Sequence, residues 1–555
     1  MKKTRTPRFL GLTTLLILLL LSAGRVSAQA PTWQWATSPG TTDDTGDGAT
    51  RAAVDAAGNV YVAGNFHNTA TFGTTTLTSA GQDDVFVAKL SRNGVYQWAL
   101  RAGGTNNDNL KGIAVDSTGN VYVSGEYTSA QAVFGATTLT NATGSGDRDG
   151  FVAGLSAAGA WQWAVGAGGS GADYCSALAA DNRGSVYVTG EFRSTMALFG
   201  PFTLTNANTN GTPDAFVARL SAGGAWQWAV RAGGLSPDFG NAITVDGTGD
   251  VYLTGSFTDS ASFGPTAPLR SRGGWDVFVA KLSPAGSWQW SVRAGSTSSD
   301  TGTQLATDRA NNVYVTGNLW ASGADFGPTT LGGSGGTELF VTKLTSRGGW
   351  QWAVRAGGTD LDYGWALAAD PGGNVYVTGE FSSATFPIGT TTLTNPTGVS
   401  ALFVAKLTTN GAWEWVTRAA GPGLQYSRGV AVDGTGRVYV AGLCFGDITF
   451  GATTLPSTGR FSGNIFLARL SPPPTGLPAE TAAPAFTLAP NPAHHTATLT
   501  GLAPGAAVTL LDGVGRTVRQ EKADAAGTTT LDVRGLPTGL YLVRAGGATQ
   551  RLVVE

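Results

Sequence analysis

Acidic side chains recur at fixed positions along this chain of 555 residues and are the first candidates for chemistry. Their positions are counted from a Val-Tyr-Val or Val-Tyr-Leu segment that occurs seven times. The first row stands thirteen residues before that segment and comprises Asp47, Asp108, Asp173, Asp238, Asp300 and Asp362, with Gln425 in the last copy. The second row directly precedes another apolar segment and comprises Asp84, Asp149, Asp214, Asp276 and Glu338, then Ala401 and Asn464. The third row follows a glycine and comprises Glu126, Glu191 and Glu380, with Asn65, Ser256, Asn318 and Leu443 in the other copies.

These rows allow two hypotheses. If the segments are strands of one repeated unit, the rows project to one face, where carboxylates would attract a cation, Ca²⁺ above all, or a polyhydroxylated ligand. The alternative is structural, because an aspartate at the start of a strand commonly binds nearby backbone amides and such a role would repeat in every unit. The ligand-binding candidates are the first row together with Glu126, Glu191 and Glu380. Calcium stays an open cofactor, and no other is indicated.

Another aspartate lies in a short turn-like segment of every copy. Its members are Asp55, Asp116, Asp181, Asp246, Asp308, Asp370 and Asp433. Each is followed by small or polar residues and a glycine, asparagine or aspartate, which is the composition of a tight hairpin turn. We expect this row to lie on the opposite face and to serve only the turn.

Catalytic signatures are sparse. Before residue 486 the chain has one histidine, His67, so a Ser-His-Asp triad or a histidine metal site is hard to assemble. Gly332 to Gly336 match G-x-S-x-G, but in a glycine-rich loop without a strand–turn–helix context. Residues 43–48 (DDTGDG) resemble a calcium loop that lacks its closing glutamate. A carboxylate pair for glycoside cleavage is an open alternative, while the sequence as a whole does not point to an enzyme.

Departures from the repeat are further functional pointers. The sixth copy has Ala401 in the second acidic row and an extra Trp365, and the seventh has Leu443 and Cys444 where others have Glu or Asn. Trp320 and Trp275 also lie outside the repeated motif, in loops near the same face. A tryptophan beside acids suits stacking on a glycan, and it equally suits a local packing role.

The acidic rows must be positioned by regular secondary structure, and the repeated segments between them indicate strands. The Val-Tyr-Val segments begin at Val60, Val121, Val186, Val251, Val313, Val375 and Val438, at steps of 61 to 65 residues. Each copy holds four strand-like runs separated by turn residues, and four-stranded units at a fixed period indicate β-propeller blades. Trp33-Gln34-Trp35 precedes the first copy as an outer strand without its blade, and the seventh copy lacks that strand. We therefore predict an all-β fold: a seven-bladed β-propeller closed by the N-terminal strand, followed by a small C-terminal β-sandwich.

The outer strands of this propeller carry most of the tryptophan. Thirteen of the sixteen tryptophans lie in Trp-Gln-Trp-like motifs, whereas the inner strands have small residues. Blades diverge from the axis, so bulky outer side chains would fill the wedge between them. The alternative is that the tryptophan rows form a sugar-stacking surface.

The repeat resembles the bacterial β-propeller repeat called SBBP. The residues that carry the resemblance are Phe72 to Leu77, Asp84 to Leu90, Trp98, Ala102 to Gly104, Ala114 to Asp116 and Gly119 to Gly125. The resemblance spans roughly residues 31–471 and implies the propeller fold. It implies little about function.

The N-terminal residues 1–28 have the pattern of a secretory signal: a basic start, an apolar run and the small residues Val26-Ser27-Ala28. The apolar run is shorter than the ~20 residues of a membrane span, and no later segment could cross a bilayer. Removing five basic residues changes the formal charge from 35 − 37 = −2 to 30 − 37 = −7, which argues against nucleic acid as a partner. Cys175 and Cys444 occupy non-equivalent positions, so we expect buried thiols.

The amino-acid composition changes after residue 471. Residues 472–485 read as a proline-rich linker, and residues 486–555 read as short alternating strands. This tail resembles the type A C-terminal sorting domain of type IX secretion. The matching residues are Pro490-Asn491-Pro492, Asp512, Gly515-Arg516, Leu536, Gly539-Leu540-Tyr541 and Leu552-Val553-Val554. The resemblance implies contact with the secretion machinery and transport across the outer membrane. An ordinary adhesive sandwich is the alternative.

Together these patterns predict four parts: a signal peptide at 1–28, a propeller at 29–471, a linker at 472–485 and a sorting domain at 486–555. We expect a secreted monomer at the outer-membrane surface or outside the cell. Its expected function is binding or adhesion, with a polysaccharide or protein ligand on the acidic face. A secreted carbohydrate-active enzyme and a purely structural envelope protein are the alternatives.

Overall fold

The computed structural model describes residues 31–41, 51–144, 146–320, 323–457, 463–471, 486–512, 515–545 and 548–555. Within these ranges the regular structure is β-strand throughout, so they hold no helix long and apolar enough to cross a bilayer. The chain divides into two compact units, residues 1–474 and 475–555. The predicted signal peptide and linker lie outside the described residues. The predicted all-β class is confirmed.

The described part of the first unit contains seven four-stranded antiparallel sheets, numbered here along the chain. From inner to outer strand, sheet 1 is Arg51–Val54, Val60–Phe66, Asp84–Leu90 and Tyr96–Ala102; sheet 2 is Asp108–Val115, Val121–Tyr127, Asp149–Leu155 and Trp161–Ala167; sheet 3 is Asp173–Ala180, Val186–Phe192, Asp214–Leu220 and Trp226–Ala232. Sheet 4 is Asp238–Val245, Val251–Phe257, Asp276–Leu282 and Trp288–Ala294; sheet 5 is Asp300–Thr307, Val313–Leu319, Glu338–Leu344 and Trp350–Ala356; sheet 6 is Asp362–Ala369, Val375–Phe381, Ala401–Leu407 and Trp413–Arg418. Sheet 7 is Gln425–Val432, Val438–Phe445, Gly463–Ser471 and the N-terminal strand Thr32–Thr37.

The sheets are arranged in a ring. Each inner strand packs against the inner strand of the next sheet, and that of sheet 7 packs against that of sheet 1. Gly429 allows this last approach, because a Cβ there would lie only 3.0 Å from the backbone nitrogen of Ala52. In sheet 7 the N-terminal strand pairs with the third strand, with Trp33 opposite Leu470. The ring encloses a central channel, and the predicted propeller architecture is confirmed.

The tryptophans of the outer strands pack between sheets. In sheet 2 the indole of Trp163 lies against Gly224 in a turn of sheet 3, and its Nε1 donates to the carbonyl of Ala222 at 2.9 Å. Gly224 has φ +81, so the turn itself also requires glycine. These contacts support the packing role for the tryptophan rows over a sugar-stacking surface.

In each of these seven sheets a short hairpin connects the second and third strands, and the sequence patterns did not predict it. The described strands of these hairpins are Thr69–Phe72 with Thr75–Thr78 and Gly40–Thr41, Gln131–Phe134 with Thr137–Thr140, Met196–Phe199 with Phe202–Thr205, Ser260–Ala261 with Leu269–Arg270, Ala324–Phe326 with Thr329–Leu331, Thr385–Ile388 with Thr391–Thr394, and Ile448–Phe450 with Thr453–Leu455. Phe134 illustrates how these hairpins pack, because its buried ring lies edge-on against Trp161 of the outer strand at 5.3 Å.

The second unit contains two sheets in its described part. One has the order Thr487–Ala489, Thr496–Thr500 and Thr529–Asp532, and the other has the order Thr517–Lys522, Ala507–Leu511, Gly539–Ala545 and Ala548–Val554. Alternate residues of both sheets, such as Leu499 and Val543, are fully buried in one shared core.

Candidate binding site at the channel mouth

The register of the strands brings the acidic rows together at one end of the channel. In sheet 2, Tyr127 at the end of the second strand pairs with Asp108 on one side and with Asp149 on the other. We call this end, at which the inner strands begin, the channel mouth. The opposite end, where inner and second strands connect, is the turn end.

Residues of the first acidic row are buried between sheets. Asp108 is 1% exposed, and its carboxylate accepts hydrogen bonds from the backbone of Gly104 at 2.5 Å and the hydroxyl of Ser129 at 2.8 Å. The other described members are equally buried: Asp173, Asp238, Asp300 and Asp362, with Gln425 in sheet 7. Burial raises the pKa of Asp108 and of Asp173 to about 6. This geometry favours the structural hypothesis, and the ligand-binding role stays a prediction. Asp47 lies outside the described residues.

Asp238 is the exception within this row. Its Oδ2 accepts from the backbone of Gly234 at 2.7 Å, but its Oδ1 has no hydrogen-bond donor among the described residues. Where sheets 2, 3 and 6 have a serine that donates to the aspartate, sheet 4 has Asp259. Burial and the nearby carboxylate of Asp214 raise the pKa of Asp238 to about 8. The carboxyl of Asp238 therefore keeps its proton to a higher pH than an exposed aspartate does.

The second acidic row is clamped by arginines of the outer strands. Asp84 is fully buried and binds Arg101 Nη1 at 2.5 Å. The equivalent pairs are Asp214 with Arg231 at 2.7 Å, Asp276 with Arg293 at 2.8 Å and Glu338 with Arg355 at 2.6 Å. In sheet 2, Gly166 occupies the position of the arginine, so Asp149 has no such partner. Burial raises the pKa of Asp149 to about 6. These acids hold the third and outer strands together.

Two glutamates of the third row, Glu126 and Glu380, are buried and lie beside basic side chains. Glu126 lies 3.4 Å from Lys111 Nζ, and Glu380 lies 4.0 Å from Arg428 Nη2. Burial raises the pKa of Glu380 to about 6 although the charge of Arg428 opposes the shift. Burial likewise raises the pKa of Glu191 to about 7. The mouth is therefore a mixed surface of carboxylates and cations, which differs from the acidic face that the sequence predicts.

Lys111 and Arg428 both stand on β-bulges that the sequence patterns did not reveal. The inner strands of sheets 2 to 7 begin at the first acidic row, at Asp108 in sheet 2. A few residues later, one residue of the inner strand has no partner in the second strand. This is a β-bulge, and a bulge changes the direction of the unpaired side chain. The residues at this position are Lys111, Ser176, Asn241, Thr303, Trp365 and Arg428. All of them line the central cavity.

Aromatic rings and an arginine form a continuous stack across sheets 5 to 7. Tyr363 and Trp365 are stacked with centroids 5.4 Å apart and 26° between their planes, and Trp320 packs edge-on against Tyr363 at 6.2 Å. The guanidinium of Arg428 lies 4.3 Å from the ring centre of Trp365 and 5.3 Å from that of Tyr426. We call these five residues the aromatic–arginine stack. Trp320 is 42% exposed, so the stack is accessible from solvent.

The structure thus joins two of the three tryptophans that depart from the repeat. Trp275 lies apart, directly before the third strand of sheet 4, and its ring packs on Phe239 at 5.0 Å. Arg148 and Tyr174 form a smaller pair in sheets 2 and 3, with a hydrogen bond of 2.9 Å. The sequence signal for Trp320 and Trp365 was their position outside the motif, whereas nothing in the repeat pattern singled out Tyr363 or Arg428.

The remaining chemical candidates are isolated. His67 Nδ1 lies 3.2 Å from Asp83, and Ser334 of the G-x-S-x-G match accepts a bond from Arg355 in a loop. Cys175 and Cys444 are free and buried. Within the described ranges no group of three or more His, Cys, Asp or Glu side chains is arranged to hold a metal ion.

Two protein families match the sequence. The β-propeller repeat SBBP matches residues 97–126, 227–264 and 289–321. The secretion system C-terminal sorting domain matches residues 487–555. Parts of the chain therefore match a β-propeller repeat and a type IX sorting domain, and the sorting domain indicates secretion to the cell surface or the medium.

Individual relatives are distant. The chain is 24% identical over 415 residues to the uncharacterized WD repeat-containing protein L264 of Acanthamoeba polyphaga mimivirus, covering 60% of this chain and 29% of that protein. It is 33% identical over 113 residues to the regulatory protein FlaEY of Caulobacter vibrioides, covering 20% and 12%. The chain thus spans less than a third of the length of these curated relatives.

Solved structures with a similar course of the chain include PorZ, a bacterial surface component of the type IX secretion system of Porphyromonas gingivalis. It is 13% identical, covers 91% of this chain and 70% of its own, and has a TM-score of 0.32. A puromycin hydrolase is also 13% identical, covers 86% and 62%, and has a TM-score of 0.38.

Proposed function

We propose that this secreted propeller protein is a binding module that holds a saccharide at the channel mouth of sheets 5 to 7. The observation that carries the proposal is the aromatic–arginine stack, which places flat apolar ring faces beside charged hydrogen-bonding groups. A sugar ring has an apolar C–H face and a rim of hydroxyls, so it can cover Trp320 or Tyr363 while the hydroxyls reach Arg428 and Glu380. Aromatic side chains with a polar neighbour are suited to such amphipathic ligands.

Two features of the site support this reading. Trp320 and Trp365 depart from a repeat that otherwise places tryptophan in the outer strands. Their positions around Tyr363 leave one member exposed and the others half-buried, so a ligand can dock without unfolding the sheet. The export signal fits a ligand met outside the cell, such as a polysaccharide of a surface or matrix.

A glycan array with the full chain tests the proposal. We expect selective binding that Trp320→Ala and Trp365→Ala each weaken about 5- to 100-fold, since each loses roughly 1–3 kcal/mol of contact. Trp275→Ala is the matched control, because it removes the same residue type from another aromatic pair on the same face. Retention of binding by both stack variants, or equal loss in the control, would contradict the site.

A protein ligand is the second candidate, favoured by exposed leucines on the same face. Leu361 is 45% exposed and Leu424 is 37% exposed, each directly before the inner strand of its sheet. Exposed apolar residues beside tyrosine, tryptophan and arginine are typical of protein interfaces. Periodate treatment of captured cell-surface material separates the two, because it cleaves sugar diols and spares polypeptide. Loss of binding after periodate supports the saccharide, and retained binding that Leu361→Ser abolishes supports the protein.

A further inference from the structure

At the turn end, six of the seven sheets place a cation in the wedge between themselves and the next sheet. The cation stands directly before a leucine near the end of the third strand, and the residues at this position are Lys89, Arg219, Lys281, Lys343, Lys406 and Arg469. In sheet 5 the ammonium of Lys343 lies 5.2 Å from the ring centre of Tyr314 and donates to the carbonyl of Thr409 in sheet 6 at 3.3 Å. This wedge thus holds a cation between an aromatic ring and a backbone carbonyl.

Sheet 2 has Gly154 at this position. Its wedge against sheet 3 contains a pocket of about 430 Å³, which we call the wedge pocket. The walls of the pocket include Tyr122, Gly154, Gln162, Trp163, Ala222 and Gly223, and none of the described lining residues is charged. Gln162, Ala222 and Gly223 are exposed, so the pocket opens to solvent. The indole of Trp163 covers the glycine, because a Cβ at Gly154 would lie 2.5 Å from Trp163 Cε2.

The carbonyl of Ala222 is a hydrogen-bond acceptor at this pocket. In the wedges that follow sheets 3, 4, 5 and 7, the equivalent carbonyl accepts from two donors, the outer-strand tryptophan and the cation. Among the described residues, Ala222 O accepts only from Trp163 Nε1, at 2.9 Å. A carbonyl oxygen has two lone pairs, so Ala222 can accept a second bond from a ligand.

The charges around Tyr122 favour a positively charged ligand. Its hydroxyl donates to Asp116 at 3.1 Å, and burial together with the charges of Asp116 and Asp181 raises the pKa of Tyr122. In sheet 3 the charge of Arg219 opposes the same shift in the pKa of Tyr187. The wedge of sheet 2 therefore keeps the carboxylates and rings that the other wedges present to a cation, while its own third strand supplies no cation there.

Sheet 6 shows a further contact that a cation can make in such a wedge. Glu414 stands where sheet 2 has Gln162, and its carboxylate lies 3.0 Å from Lys406 Nζ. The side chain at this position of the outer strand therefore reaches the cation of its wedge. In sheet 2 the amide oxygen of Gln162 can accept from an ammonium in the same way.

We propose that the wedge pocket binds an alkylammonium group, borne by the lysine side chain of a partner protein or by a free amine. The ammonium donates to Ala222 O and lies beside Tyr122 and Trp163, in the place that the chain's own Lys343 takes in sheet 5. The alkyl chain of the ligand covers the apolar wall behind it. The proposed saccharide site lies at the other end of the channel, so this inference does not depend on it.

NMR of the tryptophan indole groups in the full chain tests the proposal, with the Trp163 signal assigned through Trp163→Phe. The probes are Nα-acetyl-lysine methylamide and its Nε-acetylated form, which keeps the side chain and removes the charge. We expect the charged amide to shift the Trp163 signal saturably and to bind at least fivefold more tightly than the neutral form. A second arm uses 1,5-diaminopentane: tighter binding of the lysine amide supports a protein source, and tighter binding of the diamine supports a free amine.

Variants of the pocket sharpen the test. Gln162→Glu should tighten binding of the charged amide at least threefold. Gln227→Glu, the same change in sheet 3, should leave binding unchanged, because Arg219 already holds the cation position of that sheet. Gly154→Lys supplies an ammonium from the chain itself, so it should abolish binding and raise the melting temperature. The indole of Trp163 must shift for this lysine, and the other sheets accommodate both residues.

Three results would overturn the wedge site: equal binding of the charged and neutral amides, no saturable shift of the Trp163 signal, or equal effects of Gln162→Glu and Gln227→Glu. A folded Gly154→Lys variant that still binds the charged amide with unchanged affinity would also contradict it. If the melt shows that Gly154→Lys does not fold, the two exposed glutamine variants decide the proposal.

Discussion

The two ends of the channel use the same strands in different ways. At the turn end every sheet repeats one arrangement: in sheet 2, Asp116 Oδ1 accepts from the backbone of Thr118 and Asn120 at 2.9 Å, and Oδ2 accepts from the hydroxyl of Tyr122 at 3.1 Å. At the mouth the bulge position changes from Lys111 through Asn241 to Trp365 and Arg428. Identical chemistry in every sheet serves the fold, whereas chemistry that differs between sheets is free to serve a ligand.

The mouth itself contains both kinds of residue. In most sheets the first and second acidic rows are buried and held by protein donors, so their role is structural, like that of the turn aspartates. The bulge residues differ from sheet to sheet and line the channel, and aromatic rings lie beside two of them in sheets 6 and 7. The comparison therefore depends on burial and variation together, and position on the face alone does not identify the site.

The largest expected effect comes from breaking a repeated residue at the mouth. Asp362→Ala removes the acceptor of Gly358 N at 2.6 Å and of the Ser383 hydroxyl at 2.7 Å, together with two longer backbone bonds. Leaving these buried donors unpaired should lower the free energy of unfolding of the first unit by about 3 kcal/mol or more. Urea denaturation measures the loss. The exposed Asp360→Ala should change stability by less than about 0.5 kcal/mol, and equal effects would remove the distinction.

Replacing a variable residue at the mouth should weaken ligand binding and leave the stability of the fold nearly unchanged. Trp365→Ala should weaken saccharide binding about 5- to 100-fold through the loss of stacking. The seven-sheet ring should stay folded, because Trp365 is half-buried and stands on a bulge outside the regular pairing. Calorimetry and a thermal melt on the same sample measure both effects. A large fall in melting temperature, with no loss of affinity in the protein that stays folded, would show that Trp365 serves packing.

A pH profile sharpens the comparison at Asp238. Its pKa of about 8 exceeds the ordinary aspartate value near 4, so the folded state keeps a proton that the unfolded state releases between these values. The free energy of unfolding therefore falls as pH rises through this window. Asp238→Asn cannot ionise, so its advantage in melting temperature over the wild type should widen from pH 5 to pH 8.5. A constant difference across that range would show that ionisation of Asp238 does not matter.

The smallest effect is expected at the turn end. Tyr252→Phe removes one hydrogen bond of 3.0 Å to Asp246, whose other oxygen keeps its bonds to the backbone of Thr248 and Asp250. The loss should be about 1 kcal/mol. Binding at the mouth should be unaffected, which thermal melts and calorimetry together establish. A change in affinity would couple the two ends and contradict their separate roles.

The sequence predicted the parts of this fold that follow from repetition. These parts follow from local rules of strand pairing and turn geometry. They are the strand period near 62 residues, the Trp33-Gln34-Trp35 segment that precedes its blade, and the turn aspartates. The hairpin around Phe134 was missed because its short threonine-rich strands resemble a loop. The bulges at Lys111 and Arg428 were missed because one extra residue leaves the apolar pattern almost unchanged.

The candidate site was harder to predict for a physical reason. Counting from the repeat placed the acids on one face, but it carried no information about burial, and Asp108 proved to be bonded inside the fold. Trp320 follows a strand of sheet 5 and Tyr363 lies in sheet 6, so these two rings meet only once the sheets pack. Departure from the repeat marked the tryptophans, and only the structure showed what surrounds them.

Hydrogen–deuterium exchange of the full chain, with and without a saturating oligosaccharide from the array, tests the central claim most directly. Ligand contact should slow exchange where the inner strands of sheets 6 and 7 begin, at residues 361–365 and 424–428. The turn end, including residues 116–120, should exchange at an unchanged rate. Protection confined to the turn end or to the outer strands, with none at the mouth, would contradict the account.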